Sequence, residues 1–119
     1  MNVLGLHHVS LNVTDLERAV SFYTALGLEE IPGLNPRVRW FRLGHNELHL
    51  IATDNPVRRC DNEADYHFAL EVDDIRQLEQ RIVPAGGELL QEPRQRPHDG
   101  SWYLFALDPD GNRFEVTQH

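Results

Sequence analysis

The chain of 119 residues is long enough for one compact domain with a sizeable core, and its 40% hydrophobic and 25% charged content gives no support to a disordered, fibrous or low-complexity reading. A formal charge of −8 and a pI near 5.2 repel phosphate backbones, and no run of Lys or Arg with interleaved aromatics offsets them, so nucleic acid is excluded as a partner. Cys60 stands alone, which rules out an internal disulfide and a CxxC-type site; the N-terminus has no leader-like pattern and no apolar stretch approaches bilayer length, so the expected setting is the cytoplasm, with no membrane partner.

The predicted elements come in two similar series. His8-Val9-Ser10-Leu11-Asn12-Val13 alternates apolar and polar residues, as a half-buried strand does. Thr14 with Glu17 three residues on reads as a capping box, and Leu16, Ala19, Val20, Phe22, Tyr23 and Leu26 then recur at helical spacing up to Gly27. Extended pieces are expected over 29–31, 38–43 and 48–51. A polar stretch over 54–65, containing Pro56, reads as a linker. The series then restarts: Phe68, Leu70 and Val72 alternate, Asp73 or Asp74 caps a run bearing Ile75, Leu78 and Ile82, and Pro84, Gly86 and Gly87 close it. Further strands are expected over 88–91, 102–107 and 113–117, the last two joined by the turn Asp108-Pro109-Asp110-Gly111-Asn112. A long loop over 91–101 could cover a site.

Laid on itself at an offset of 59 (67 minus 8), the chain matches His8 with His67, Leu11 with Leu70, Val13 with Val72, Asp15 with Asp74, Gly27 with Gly86 and Glu29 with Glu88. This is one βαβββ unit written twice. The expected fold class is α+β: a single domain over 1–119 made of two modules, about 1–55 and 62–119, forming an open, cup-shaped mixed β-sheet barrel with helices on the outside.

Strand alternation assigns the faces. If Val9, Leu11 and Val13 pack on helix, then His8, Ser10 and Asn12 face the other way. By the same rule His67, Ala69 and Glu71 oppose Phe68, Leu70 and Val72. In the last strand Phe114 and Val116 go inward and Arg113, Glu115 and Thr117 outward; in the first module Leu48 and Leu50 go inward, leaving Glu47 and His49. His8, His49, His67 and Glu115 are therefore expected on one concave face as ligands of one divalent metal. Imidazole and carboxylate without thiolate suit Mn, Fe, Co, Ni or Zn, and two His with one carboxylate leave open positions. Ser10 and Asn12, beside His8, are candidates for substrate contact. His7 is expected at the helix side or the edge. Glu47 and Glu71 read as solvated strand residues or partners of the ligands. Arg94, Arg96 and His98 in the long loop read as solvating charges or, with Arg96 foremost, as recognition of an anionic substrate beneath a lid. Trp40, Trp102, Tyr103 and Phe105 read as core or pocket wall. GxSxG, P-loop, Rossmann-glycine and HExxH patterns are all missing.

Taken together, Leu6-His7-His8-Val9-Ser10-Leu11-Asn12-Val13-Thr14-Asp15-Leu16, Phe22-Tyr23, Leu26-Gly27-Leu28, Glu47-Leu48-His49-Leu50, His67 and Asp108-Pro109-Asp110-Gly111-Asn112-Arg113-Phe114-Glu115 resemble the vicinal oxygen chelate superfamily. That superfamily holds glyoxalase I, fosfomycin-resistance thiol transferases, extradiol dioxygenases, methylmalonyl-CoA epimerase and bleomycin-binding proteins. The resemblance implies paired modules around a metal, often completed across a homodimer, with ligand positions on His8, His49, His67 and Glu115. It implies a small substrate chelated through two adjacent oxygens, with the metal as Lewis acid and Glu115 as ligand and proton carrier. Histidine at position 49 departs from the carboxylate of glyoxalase I. The leading expectation is a lyase, isomerase or thiol transferase of the glyoxalase type. The alternatives are a small extradiol-type dioxygenase with Fe(II), and a metal-free antibiotic-binding protein of the bleomycin-resistance kind.

Overall fold

A computed structural model describes residues 1–33 and 35–119. The elements follow in the order β1 (His8–Val13), α1 (Leu16–Ala25), β2 (Glu29–Ile31), β3 (Val38–Leu43), β4 (Asn46–Ala52), β5 (Phe68–Glu71), α2 (Ile75–Ile82), β6 (Glu88–Leu89), β7 (Arg94–Gln95), β8 (Trp102–Leu107) and β9 (Arg113–Gln118). The two βαβββ modules are present, with one addition: β7, a two-residue strand inside the expected long loop, pairs with β8. The fourth strand is longer than its apolar core suggested, and β6 is shorter.

Each module builds its own sheet. The first runs β1-β4-β3-β2 and the second β5-β9-β8-β6, with β7 also on β8. In both, the opening strand pairs in parallel with the closing one, β1 with β4 and β5 with β9, while the remaining pairs are antiparallel. The sheets do not close into a barrel, and β1 and β5 each lie at a sheet edge.

The helix caps correct one expectation. Asp15, not Thr14, is the N-cap of α1: its backbone is extended and its carboxylate accepts from the Arg18 amide at 3.0 Å. Asp74 does the same for α2, accepting from the Gln77 amide at 3.0 Å. An acid at the cap satisfies an otherwise orphaned N–H and complements the positive end of the helix. Thr14 is engaged elsewhere. Its amide and hydroxyl both donate to the Asp110 carboxylate on the β8–β9 turn, to which Arg18 is also paired at 3.1 Å. The helices end alike too, with Gly27 at φ +104° and its repeat partner Gly86 at +105°, in the left-handed region that glycine reaches without steric cost.

The core lies between the helices and the inner faces of both sheets. Val13, Phe41, Leu48 and Leu50 from the first sheet and Leu70, Leu104, Phe114 and Val116 from the second are buried with Ala19, Phe22, Tyr23 and Leu26 of α1 and Ile75, Leu78 and Ile82 of α2. Helix α1 joins the modules: Tyr23 meets Phe41 of its own sheet at 6.3 Å between ring centroids, and Phe22 meets Phe114 of the other at 6.0 Å. Glycine is required at 87 to let this happen, since a β-carbon there would lie 2.6 Å from Phe22.

One buried polar contact crosses the same interface. The Tyr23 hydroxyl donates to Asp108 Oδ2 at 2.8 Å, and Asp108 also accepts from the amides of Asp110 and Asn112 and from Asn112 Nδ2. Burial pushes both the Tyr23 hydroxyl and the Asp108 carboxyl above their ordinary ranges. Deleting one donor to a buried carboxylate leaves a lone pair unsatisfied. Tyr23→Phe is therefore expected to cost about 1.5–3 kcal/mol, read as a lower urea midpoint with an unchanged m-value.

Candidate metal centre

The alternation expected from sequence is seen in the burial of β1, β4 and β5, whereas in β9 Arg113 and Thr117, expected outward, are buried as well as Phe114 and Val116, Thr117 beneath Arg96 and Arg113 against Phe105. In β1, His8, Ser10 and Asn12 are exposed while Val13 is buried; in β4, Leu48 and Leu50 are buried between less buried Glu47 and His49. In β5, Leu70 is buried between exposed Ala69 and Glu71. The register makes the two modules comparable at the level of single residues. Ser10 lies opposite His49 and Ala69 opposite Glu115, and Ala69 is the repeat partner of Ser10. His49 thus holds in the first module the position that Glu115 holds in the second.

Each module carries two of the four residues expected as ligands. In the second, His67 Nε2 and Glu115 Oε1 stand 3.2 Å apart on the bare face of the sheet. Two ligands bonded to one ion at about 2.1 Å stand roughly 3.0 Å apart at a right angle and about 3.4 Å apart at a tetrahedral angle, so this pair is spaced as two neighbouring ligands are. Phe105, directly opposite Glu115 in the β8–β9 ladder, packs edge-on against His67 at 4.9 Å. In the first module His8 and His49 stack face to face, with ring centroids 4.0 Å apart and planes 15° from parallel. Trp40, opposite His49 in the β3–β4 ladder, stacks on its other side at 5.3 Å. His49 Nε2 and Glu47 Oε1 are 2.9 Å apart, and this hydrogen bond holds the Glu47 carboxyl below its usual range.

The stack bears on His49 as a ligand. An imidazole lone pair lies in the plane of its ring, and two nearly parallel rings stacked face to face cannot both aim at one ion. For His49 to join His8 on a metal, its ring must turn off the stack and release Glu47. His7, expected at the edge, sits with Nδ1 3.0 Å from His8 Nδ1.

Among the described residues no three His, Cys, Asp or Glu side chains lie close enough together to hold a metal ion. His8 and His49 sit on one sheet and His67 and Glu115 on the other, and the edge strands β1 and β5 of the two sheets are not hydrogen-bonded to each other. A cleft of about 750 Å³ opens there, lined by Leu6, Val9, Leu43 and Glu47 on one side and His67 to Val72 on the other. Apolar residues flank it in the open, Leu6 at 67% exposure and Tyr66 at 97%.

The loop residues divide. Arg94 is exposed on β7, and His98 is exposed beside Asp99. Arg96 turns inward over the second sheet, pairing with Glu115 Oε2, donating to Ser101 Oγ at 2.9 Å and Thr117 Oγ1 at 3.1 Å, and lying 4.4 Å above the Tyr103 ring. Of the aromatic residues, Trp40, Tyr103 and Phe105 wall the bare faces, whereas Trp102 packs against the core. Glu71 pairs with His119, away from the other acids. No helix of the described residues is long and apolar enough to cross a membrane.

The family model of the Glyoxalase/Bleomycin resistance protein/Dioxygenase superfamily matches residues 5–116. The chain belongs to that superfamily. It is 31% identical over 120 residues to glutathione transferase FosA of Serratia marcescens, covering 94% of this chain and 79% of the relative. Metallothiol transferase FosB of Shouchella clausii is 25% identical, with 96% of this chain and 80% of the relative covered. Lactoylglutathione lyase GLX1 of Arabidopsis thaliana is 28% identical over 93% of this chain, which spans only 43% of that longer protein. The fold is that of the fosfomycin resistance protein FosX from Listeria monocytogenes, with a TM-score of 0.79 at 22% identity over 99% of this chain and 95% of that one.

Trp40 touches His49, while Trp102 lies on the opposite side of its own sheet. Titration with Ni²⁺ or Co²⁺ is expected to quench tryptophan emission, and Trp40→Phe is expected to remove most of that response while the emission of Trp102 persists.

Proposed function

We propose that this protein is a divalent-metal-dependent enzyme of the glyoxalase type, a lyase, isomerase or thiol transferase, acting on a small substrate held through two adjacent oxygens. The observation that carries the reading is the spacing of His67 Nε2 and Glu115 Oε1, 3.2 Å, on the bare face of the second sheet. His67 and Glu115 would supply two ligands and His8 a third, with one of Fe, Mn, Ni, Co or Zn as the ion. Bound there, the metal would supply a Lewis acid for charge developing on a substrate oxygen. Glu115, the one carboxylate among these residues, would also be the proton carrier. Ser10, on the His8 face of β1, would line the substrate site with Asn12, and Trp40, Tyr103 and Phe105 would limit the water around it. The thiol-using relatives, a metallothiol transferase, a glutathione transferase and a lactoylglutathione lyase, favour a substrate that is, or reacts with, a small thiol.

The separation of the two residue pairs within one chain supports completion of the site by a second copy, with His8 of one protomer facing His67 and Glu115 of its partner. A two-fold dimer would create two such sites and cover both exposed edges, whose unpaired strands and apolar flanks invite another chain.

Elemental analysis of untagged protein purified without chelator is expected to find about one equivalent of metal per chain, lost in a His8→Ala, Glu115→Ala double variant. Absence of metal in the unsubstituted protein, even after incubation with each candidate ion, would leave a metal-free binding cup as the account. On metal-loaded protein, the product formed with a thiol, a thioether for a transferase and a thioester for a lyase, separates the two, and oxygen uptake with catechols would point to ring cleavage.

The shared site has its own test. His8→Ala and His67→Ala chains should each fail to hold metal, but a heterodimer of the two keeps one intact His8 facing one intact His67. Random subunit exchange is expected to restore about one quarter of the unsubstituted metal content, and restoring none would show that the site does not span two chains.

A further inference from the structure

The two carboxylate oxygens of Glu115 have separate partners. Oε1 faces His67 Nε2 at 3.2 Å, while Oε2 is paired with the Arg96 guanidinium. Arg96 is itself firmly held. Nη1 donates to Ser101 Oγ and Thr117 Oγ1, the ring of Tyr103 covers one face, and the Ser101 hydroxyl donates on to Asp99 Oδ1 at 2.7 Å. The backbone beneath is closed by bonds from the Arg96 amide to the Ser101 carbonyl at 2.8 Å and from the Gly100 amide to the Arg96 carbonyl at 3.0 Å. The guanidinium cannot swing onto a substrate without breaking these contacts, so its placement suits a fixed role better than recognition of an incoming anion.

We propose that Arg96 is a positioning residue that pins Glu115 Oε2, so that Glu115 meets the metal through Oε1 alone and a coordination position stays open for the substrate. The inference rests on the metal-dependent reading above. A free carboxylate on a strand can rotate about its side-chain torsions and offer both oxygens to an ion. Arg96 removes that freedom, because its planar fork suits a carboxylate and its own geometry is set by Ser101, Thr117 and Tyr103. The cost is repulsion between guanidinium and metal, weakened because the carboxylate lies between them. The gain is a ligand already oriented before the ion arrives, as outer partners of metal ligands commonly provide.

The test is metal binding to Arg96→Ala, Arg96→Lys and Ser101→Ala, with the unsubstituted protein as reference. Co²⁺ serves as the probe, since its visible absorption reports coordination number and its titration gives affinity. Arg96→Ala is expected to lose about 10- to 100-fold in affinity and to show a spectrum of higher coordination number, as Glu115 becomes bidentate. Arg96→Lys, which keeps the charge without the fork, is expected to restore little of either. Ser101→Ala keeps the arginine and removes one of its supports; it is expected to shift both readings less, in the same direction, and it stays informative if the Arg96 variants fold poorly by circular dichroism. An Arg96→Ala protein with unchanged affinity and spectrum, or with tighter binding, would overturn the proposal. Failure of the unsubstituted protein to bind Co²⁺ would instead overturn the metal-dependent reading on which the inference stands.

Discussion

Two parallel strand pairs, β1 on β4 and β5 on β9, carry the rest of the structure. Side chains on a strand alternate with a period of two, so slipping either pair by one residue would send Leu48 and Leu50, or Phe114 and Val116, to the bare face and turn the histidines and Glu115 into the core. The register is held by what that slip would cost. Val13, Leu48, Leu50, Phe114 and Val116 are fully buried against α1 and α2, and removing such side chains from their packing is worth several kcal/mol together. The polar residues on the other face reach their places because the apolar ones have no alternative.

This coupling is why so much was legible in the sequence. Alternation within each half and the shared offset between halves together gave both modules, both helices, most strand positions and the side of the sheet on which His8, His67 and Glu115 lie. The helix start was misread by one residue. Thr14 and Glu17 satisfy the local capping pattern, but the Thr14 hydroxyl and amide are drawn to Asp110, a partner 96 residues away, and Asp15 takes over the cap. A local rule gave way to a long-range contact that no window of sequence contains.

Other features lie beyond a repeat alignment for different reasons. The equivalence of His49 with Glu115 needs an offset of 66 (115 minus 49) and that of Trp40 with Phe105 one of 65 (105 minus 40), against 59 at the start of the modules. Most of the added residues lie between β6 and β8, where β7 and the turn carrying Arg96 form, and one lies in the β8–β9 turn. The contact of Arg96 with Glu115 is a side-chain event, set by Ser101, Thr117 and Tyr103 together, and a basic residue in a polar loop gives no hint of it. Nor does alternation say which sheet meets which. It places four ligand-type residues on bare faces, and only the topology shows that those faces belong to two separate sheets.

The contacts of the β8–β9 turn with the first module have a consequence for how the molecule transmits change. Asp110 grips Thr14 and Arg18, and Asn112 Nδ2 donates to the Asn12 carbonyl at 3.0 Å, so a turn of the second module clasps the end of β1 in the first. The shorter connection between β3 and β4, Gly44-His45, offers no acid for a reciprocal grip. The clasp therefore adds a polar tie at the end of β1 to the packing of α1 that joins the modules. In a dimer whose centres are each shared between two chains, loosening that tie would act on both centres at once, so a substitution at Asp110, remote from every ligand, would alter the pair together.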